Sequence, residues 1–189
     1  MKRAVFLDRD GVINRKAPEG QYVTRWEDME FLPSVHEAVR LLNQAGFFVV
    51  VVSNQRCVAK GLITTVQLDS LHARMGREFE AAGARLDAIY YCPHEYVPAC
   101  SCRKPQPGML LDAAREHEID LTRSWMIGDS GHDVEAGRSA GCRTVRLTED
   151  KESVASDSDV VASSLLDAAR KILQIEATFQ PLISVLGKA

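Results

Sequence analysis

Aspartates occur in two tight pairs in this sequence, and the two pairs lie far apart along the chain. Asp8 and Asp10 are separated by one residue, and Asp129 and Asp133 by three. If the pairs met in the fold, two carboxylates about 4 Å apart would repel by roughly 4 kcal/mol at an effective dielectric near 20. Oxygen ligands without histidine favour Mg²⁺, which also binds phosphate oxygens. The acids therefore predict a magnesium site for a phosphate ester, although each aspartate alone could simply cap a helix or loop.

A second candidate site is the cysteine-rich segment YYCPHEYVPACSCRKPQPGM at residues 90–109. Cys92 and His94 form one close pair and Cys100 and Cys102 another, which supplies three sulfur ligands and one nitrogen for a tetrahedral zinc site. Three alternatives stay open: a cysteine nucleophile with His94 as its base, a disulfide that leaves one thiol over, and buried cysteines without a metal. The odd count of five cysteines and the expected reducing compartment disfavour the disulfide. We predict a structural zinc.

Short apolar runs alternate with amphipathic helical patterns along most of the chain. We predict strands at 4–7, 47–52, 87–91, 125–127 and 143–147, and helices at 108–117 and 133–140. Two further helices are predicted to begin at capping boxes, one at Ser34 that ends by Gly46 and one at Thr64 that ends near Gly83. Residues 157–172 add an edge strand and a last helix. This order predicts an α/β fold with a doubly wound, mostly parallel sheet and no large cap domain.

Polar residues follow three of the predicted strands directly. They are Asp8 and Asp10 after the first strand, Ser53, Asn54 and Gln55 after the second, and Asp129 after the fourth. Ligands of such sheets lie beyond the carboxyl ends of the strands, so these segments are expected to meet at one edge. Asp8 and Asp10 can flank one phosphoryl group, because side chains two residues apart in extended backbone point the same way. A receiver-type phosphoacceptor domain has a similar acid pocket and is the alternative that is not a hydrolase.

Length and composition limit the possible partners. The chain has 189 residues, 46% of them hydrophobic, which is enough for one domain; we place it at residues 1–175, with an unassigned tail at 176–189. The net charge of -3 supplies no broad basic field, and no apolar stretch is long enough to cross a bilayer. Neither nucleic acid nor a membrane is therefore expected as a partner. We expect a cytoplasmic monomer that acts on a small phosphorylated substrate.

Four segments resemble the four motifs of the haloacid dehalogenase superfamily in order and spacing. They are FLDRDGVIN at 6–14, VSNQ at 52–55, RKP at 103–105 and GDSGHD at 128–133. The resemblance implies that Asp8 is a nucleophile that forms an aspartyl phosphate, and that Asp10 protonates the leaving alcohol and then activates water. It also implies that Ser53 and Lys104 hold the phosphoryl oxygens.

The same resemblance implies a Mg²⁺ ion bound by Asp8, by the backbone carbonyl of Asp10 and by Asp129. Asp133 would contact these ligands without binding the ion itself. Within the superfamily, the pattern C-P-H-x5-C-x-C-R-K-P resembles the zinc loop of the heptose bisphosphate phosphatases and of the histidinol-phosphate phosphatases. Neither group has a large cap domain, which agrees with the lengths of the loops in this chain.

The residues that flank the zinc loop and VSNQ resemble the heptose group more closely. RKPQPGML continues the loop as in that group, and Ala59-Lys60-Gly61 is similar to its A-R-G step. By this resemblance Arg103 recognises the substrate. We assign four further substrate contacts, which are Tyr22, Asn54, Gln55 and Arg56.

The chain departs from the heptose pattern around the expected substrate. Arg56-Cys57 stands where Ser-Gly is usual, Ser130 where Lys or Arg is usual, and the loop at 14–22 is longer. The implied activity is Mg²⁺-dependent removal of the 7-phosphate of D-glycero-D-manno-heptose 1,7-bisphosphate, in the biosynthesis of nucleotide-activated heptose. Histidinol phosphate or another small sugar phosphate is the alternative substrate. A zinc-stabilised binding module or a phosphoacceptor is the alternative that does not hydrolyse.

Overall fold

The computed structural model describes residues 1–148 and 158–179. Six parallel strands form one sheet in the order β3-β2-β1-β4-β5-β6. The strands are β1 (Ala4–Leu7), β2 (Phe48–Asn54), β3 (Ala88–Cys92), β4 (Trp125–Gly128), β5 (Arg143–Leu147) and β6 (Val160–Ala162). The helices are α1 (Val35–Gln44), α2 (Thr65–Ala81), α3 (Gly108–His117), α4 (Gly131–Ala140) and α5 (Leu165–Phe179). Two short 3₁₀ helices span Trp26–Asp28 and Leu121–Arg123. The predicted α/β fold with a parallel sheet and no large cap is confirmed.

The sheet is buried on both faces, and each central strand contributes alternate side chains to the two faces. In β1, Val5 and Leu7 pack in the cluster that holds the apolar sides of α1, α2 and α5. Ala4 and Phe6 point the other way, into the cluster with α3 and α4. Strand order reverses between β1 and its neighbour β4, which is where a doubly wound sheet opens its ligand crevice.

One of the two predicted capping boxes forms. At Thr64 the hydroxyl accepts from Gln67 N at 3.2 Å, and Gln67 Oε1 accepts from Thr64 N at 2.9 Å. The box predicted at Ser34 is wrong, although α1 does begin at the next residue. Ser34 adopts a left-handed backbone conformation with φ of 61° and makes no side-chain capping bond. An N-cap side chain reaches its helix from extended backbone, which Ser34 does not have.

The last helix continues past residue 175. Glu176, on α5, accepts from Arg3 Nη1 at 3.1 Å and from Trp125 Nε1 at 3.2 Å, which joins this turn of the helix to the residue before β1 and to β4. The remaining predicted tail, 180–189, and the start of the segment predicted at 157–172 lie outside the described residues. Within 1–148 and 158–179, no helix combines the length and apolarity that crossing a membrane requires.

Candidate active site

Three aspartates converge at the crevice between β1 and β4. Asp8 follows β1, Asp129 follows β4, and Asp133 lies in the first turn of α4; one carboxylate oxygen from each lies within 4.8 Å of the others. Asp8 N donates to Ile127 O at 3.0 Å, which fixes the end of β1 against β4. Because parallel strands bring distant segments to one edge, Asp8 meets Asp129 and Asp133 here, and the oxygens of these three aspartates can serve as ligands of a hard cation.

Lys104 is a buried cation beside the three aspartates, with 3% of its surface exposed. Its ammonium donates to Asp8 Oδ1, to Asp133 Oδ1 and to the Val52 carbonyl oxygen, each at 2.7 Å. These bonds use all three protons of the ammonium. The orientation of Lys104 is therefore determined by β1, β2 and α4 together.

Asp8 and Asp133 differ in how far neighbouring groups stabilise their negative charge. Burial raises the pKa of Asp8 to about 7; Lys104 opposes that shift, and the nearby Asp133 and Asp10 add to it. Burial also acts on Asp133, but the Lys104 ammonium and hydrogen bonds from Ser130 hold its pKa below the ordinary value. Ser130 and Asp133 form a capping box at the start of α4, so Ser130 positions an acid. A bound divalent cation would favour the charged form of Asp8, which the protein alone does not stabilise.

Asp10 lies in a hydrogen-bond network separate from the other three aspartates, whereas the sequence predicted that the two aspartate pairs would meet. Its carboxylate is not part of the acid trio; it accepts from the Arg9 guanidinium, from Asn14 Nδ2 at 2.9 Å and from Gln55 Nε2 at 2.9 Å. Burial raises the pKa of Asp10, but Arg9 and these hydrogen bonds outweigh it and lower the pKa. Arg9 is fully buried, and its Nη1 lies 3.1 Å from His72 Nε2. Sequence reasoning missed Arg9, which binds the neighbouring Asp10, and His72, which only the tertiary structure brings to Arg9.

The last two residues of β2, Ser53 and Asn54, and the following Gln55 connect the acids to the zinc loop. Gln55 Nε2 donates to Ser53 Oγ at 2.7 Å as well as to Asp10. Asn54, predicted to contact substrate, also pairs with the backbone of Lys104: Nδ2 donates to Lys104 O and Oδ1 accepts from Lys104 N, both at 3.0 Å. In this structure the Asn54 amide therefore positions Lys104.

A second lysine reaches the acids from outside. Lys16, in the long loop after β1, places its Nζ 2.9 Å from Asp129 Oδ2, while Asp129 Oδ1 is buried and has no hydrogen-bond partner among the described residues. Gly11 lies against the same carboxylate: with φ of +97°, it would carry a Cβ only 2.2 Å from Asp129 Oδ2. Sequence reasoning missed Lys16 as a residue of the site. The feature that could have pointed to it was the extra length of this loop.

The other predicted substrate contacts form a rim beside the acids. Arg56 Nε donates to the Tyr22 hydroxyl at 3.0 Å. Arg56 and Arg103 both lie over the Tyr96 ring, with 4.7 and 4.3 Å from guanidinium carbon to ring centroid. Arg56 also pairs with Glu95 at 3.3 Å. The rim thus joins the loop after β1, the loop after β2 and the cysteine-rich loop.

The four predicted zinc ligands gather in one compact group. Sγ of Cys100 lies 3.5 Å from Sγ of Cys92 and of Cys102, and His94 Nδ1 lies 3.2 Å from Cys102 Sγ. Zinc–sulfur bonds of about 2.3 Å give a tetrahedron with edges of about 3.8 Å, so these atoms fit a four-coordinate ion. All five cysteines in the described part of the chain are free, which excludes the disulfide alternative in this structure.

Comparison with known proteins shows which family this chain resembles. A family model described as HAD-hydrolase-like matches residues 101–168. A D-glycero-beta-D-manno-heptose-1,7-bisphosphate 7-phosphatase from Rhodopseudomonas palustris is 43% identical over 145 residues, which cover 73% of this chain and 79% of that protein. A D-glycero-D-manno-heptose-1,7-bisphosphate 7-phosphatase from Thermosynechococcus vestitus is 39% identical over 188 residues, covering 89% and 94%.

A solved structure is similar over nearly the whole fold. It is the D,D-heptose 1,7-bisphosphate phosphatase from B. bronchiseptica complexed with magnesium and phosphate, with a TM-score of 0.83, 34% identity, and coverage of 93% of this chain and 99% of that one. The superfamily resemblance seen in the four motifs is confirmed, and so is the prediction of a phosphatase. The chain belongs to the D-glycero-D-manno-heptose-1,7-bisphosphate 7-phosphatase family of haloacid dehalogenase-type phosphatases.

Proposed function

We propose that this chain is a Mg²⁺-dependent phosphomonoesterase that removes the 7-phosphate of D-glycero-D-manno-heptose 1,7-bisphosphate. The observation that carries the proposal is the contact of the Lys104 ammonium with both Asp8 and Asp133, beside Asp129, at the crevice of the sheet. This arrangement offers an acid nucleophile, a cation for the phosphoryl oxygens and ligands for a metal in one place. The heptose names of the relatives support the choice of substrate.

Asp8, the Asp10 carbonyl and Asp129 would hold the Mg²⁺, with Asp133 behind them. The buried Asp129 Oδ1, which has no partner among the described residues, is an oxygen that such an ion would satisfy. When bound, the ion neutralises negative charge on the phosphoryl oxygens. It would also keep Asp8 ionised, since in the protein alone burial raises the pKa of Asp8.

The chain's own residues divide the reaction into two displacements. Asp8 attacks phosphorus, the bond from phosphorus to the sugar oxygen breaks, and Asp10 gives its proton to that oxygen. In the second step Asp10 takes a proton from water as the water oxygen attacks phosphorus, which releases phosphate and restores Asp8. The Ser53 hydroxyl holds a phosphoryl oxygen, and the positive charge of Lys104 stabilises the negative charge that develops on the phosphoryl group.

Arg9 determines where the Asp10 carboxylate points. Its guanidinium makes two bonds to that carboxylate and lowers the pKa of Asp10 in the free chain. An acid that donates its proton needs the opposite shift, and a phosphate dianion bound beside Asp10 supplies it, because a like charge raises a carboxyl pKa. Proton donation by Asp10 is thereby linked to the presence of substrate.

The zinc loop and the residues around it are the other parts of the proposed site. Zn²⁺ bound by Cys92, His94, Cys100 and Cys102 orders the loop that ends in Arg103 and Lys104. Arg103 contacts substrate from this loop, and four residues do so from the facing segments, namely Tyr22, Asn54, Gln55 and Arg56. We further propose that the enzyme is a cytoplasmic monomer that uses neither nucleic acid nor a membrane as a partner.

Phosphate release across a substrate series tests the proposal. With Mg²⁺ present, we expect kcat/KM for D-glycero-D-manno-heptose 1,7-bisphosphate to exceed that for histidinol phosphate and for simple hexose phosphates by about 10² or more, because the substrate contacts act on the transition state. Release should stop in EDTA and return with added Mg²⁺. A preference for histidinol phosphate would overturn the choice of substrate, and a single phosphorylation of the protein without turnover would favour the phosphoacceptor alternative.

Gly11 offers a steric test of the metal site. In Gly11→Ala the new methyl group meets Asp129 Oδ2, so we expect Mg²⁺ binding to weaken and kcat to fall by about 10²-fold, the scale of a misplacement near 1 Å. Gly46→Ala is the matched control. Gly46 also has a positive φ, of +81°, but a Cβ there meets no atom within 4 Å, so it introduces a comparable backbone strain without the clash. Equal loss of activity in the two variants would contradict the role given to the contact with Asp129.

A further inference from the structure

We infer that Lys16 competes with the catalytic cation for Asp129 and turns to the phosphate of the substrate once the cation is bound. The inference rests on the Mg²⁺ site of the proposed function but not on the identity of the sugar. It assigns a substrate-binding role to a residue outside the four motifs.

The side chain of Lys16 contacts Asp129 directly. Lys16 Nζ lies 2.9 Å from Asp129 Oδ2, and the structure gives this oxygen no second hydrogen-bond partner among the described residues. Asp129 is one of three acids whose oxygens lie within 4.8 Å of each other. A lysine ammonium therefore lies at the edge of the volume that a divalent ion would occupy.

The second observation is the balance of charge. Asp8, Asp129 and Asp133 carry up to three negative charges, and Lys104 and Lys16 carry two positive ones. Lys104 is fixed by its bonds to Asp8 and Asp133, which leaves Lys16 as the ammonium able to move. If Lys16 stayed in place when Mg²⁺ entered, four positive charges would face three negative ones within a few ångströms. The ion would repel the ammonium, and an incoming phosphate dianion would attract it.

The third observation is the freedom of the Lys16 side chain. Its surface is 59% exposed, against 2% for the side chain of Lys104. An ion pair exposed to this degree is weak, and a lysine carries its charge on a flexible four-carbon stem. Lys16 also lines a cavity of about 210 Å³ together with Asp10, Tyr22 and Asn54. An ammonium released from Asp129 thus stays within reach of the cavity beside Asp10.

Calorimetric titration of the Mg²⁺-free protein, with its zinc retained, tests the competition when Mg²⁺ is added. In Lys16→Met the competing ammonium is gone, so we expect the Kd for Mg²⁺ to fall about two- to fivefold, the scale of an exposed ion pair. Lys2→Met is the matched control, since it removes the same charge before β1, at the opposite end of the sheet. Its Kd should equal that of the wild type. Unchanged or weaker Mg²⁺ binding in Lys16→Met would overturn the competition.

Titration of the Mg²⁺-loaded proteins with inorganic phosphate tests the second half of the inference. We expect the Kd for phosphate to rise about two- to fivefold in Lys16→Met and to stay constant in Lys2→Met. An unchanged Kd in Lys16→Met would overturn the turn toward phosphate. If the wild type binds Mg²⁺ and phosphate in this way but does not hydrolyse the heptose bisphosphate, the proposed substrate is wrong and the role of Lys16 stands. A wild type that binds no Mg²⁺ would remove both.

Discussion

Asp8→Asn is expected to lower kcat by at least about 10⁴-fold, the scale on which the loss of a nucleophile acts in enzymes that form a covalent intermediate. Asparagine keeps the shape of the side chain and an oxygen that can accept from Lys104 Nζ, but the amide cannot attack phosphorus. Steady-state phosphate release with the heptose bisphosphate measures the effect. Asp28→Asn, in an exposed ion pair with Arg25, is the matched control and should retain full activity. Residual activity of more than a few per cent in Asp8→Asn would remove Asp8 as the nucleophile.

Thermal unfolding tests the state of Asp8 independently of activity, because the ionisation of Asp8 makes the free energy of unfolding depend on pH. In the metal-free chain the folded-state pKa of Asp8 is raised from its ordinary value of 3.8 to about 7. Between those values the folded chain holds a proton that the unfolded chain releases, so this group lowers the free energy of unfolding as pH rises from about 4 to 7. Asparagine does not titrate. In EDTA, we therefore expect the wild type to lose more thermal stability than Asp8→Asn between pH 5 and pH 8.

Much of the sheet could be predicted from the sequence, because the central strands are buried on both faces and appear as short apolar runs. The predicted strands at 4–7 and 143–147 and the helix at 108–117 have the bounds of β1, β5 and α3. The alternation of strands and helices then indicated a mostly parallel sheet, and with it the meeting of Asp8 and Asp129 at one edge, whereas the order of the strands was not predicted. These inferences depend on periodicity and chain connectivity, which are local properties of the sequence.

The parts that escaped prediction depend on tertiary contact or on backbone conformation. Ser34 carries a helix-capping signal, yet its left-handed backbone prevents the bond. Asn54 stands in a substrate-binding motif, yet in this structure its amide pairs with the backbone of Lys104, fifty residues away. His72 lies on α2 at a position that reads as an ordinary apolar face, and only the folded chain brings its ring to Arg9. Residue type restricts what a side chain can do, but its partners decide what it does.

Cys100→Ser is expected to abolish zinc binding, taking the zinc content from about one ion per chain to none, and to lower kcat by about 10²-fold. The metal-ligand bonds order a loop whose own apolar burial is small, since Tyr96 and Val97 are exposed. Lys104 follows the last ligand, Cys102, after one residue, so a loosened loop changes where the ammonium points, and a displacement near 1 Å has an effect of this size. Elemental analysis gives the zinc content, and phosphate release gives kcat.

Cys142→Ser separates the loss of zinc from the loss of a buried sulfur. Cys142 is buried against α3 and α4, outside the four-ligand group, so its replacement can lower the melting temperature but should leave the zinc content unchanged. If the loop acts by positioning Lys104, Cys100→Ser must lose activity even at temperatures where it is fully folded, whereas folded Cys142→Ser must keep it. Full activity in folded, zinc-free Cys100→Ser would mean that Asn54, through its two bonds to the Lys104 backbone, holds this lysine without the metal.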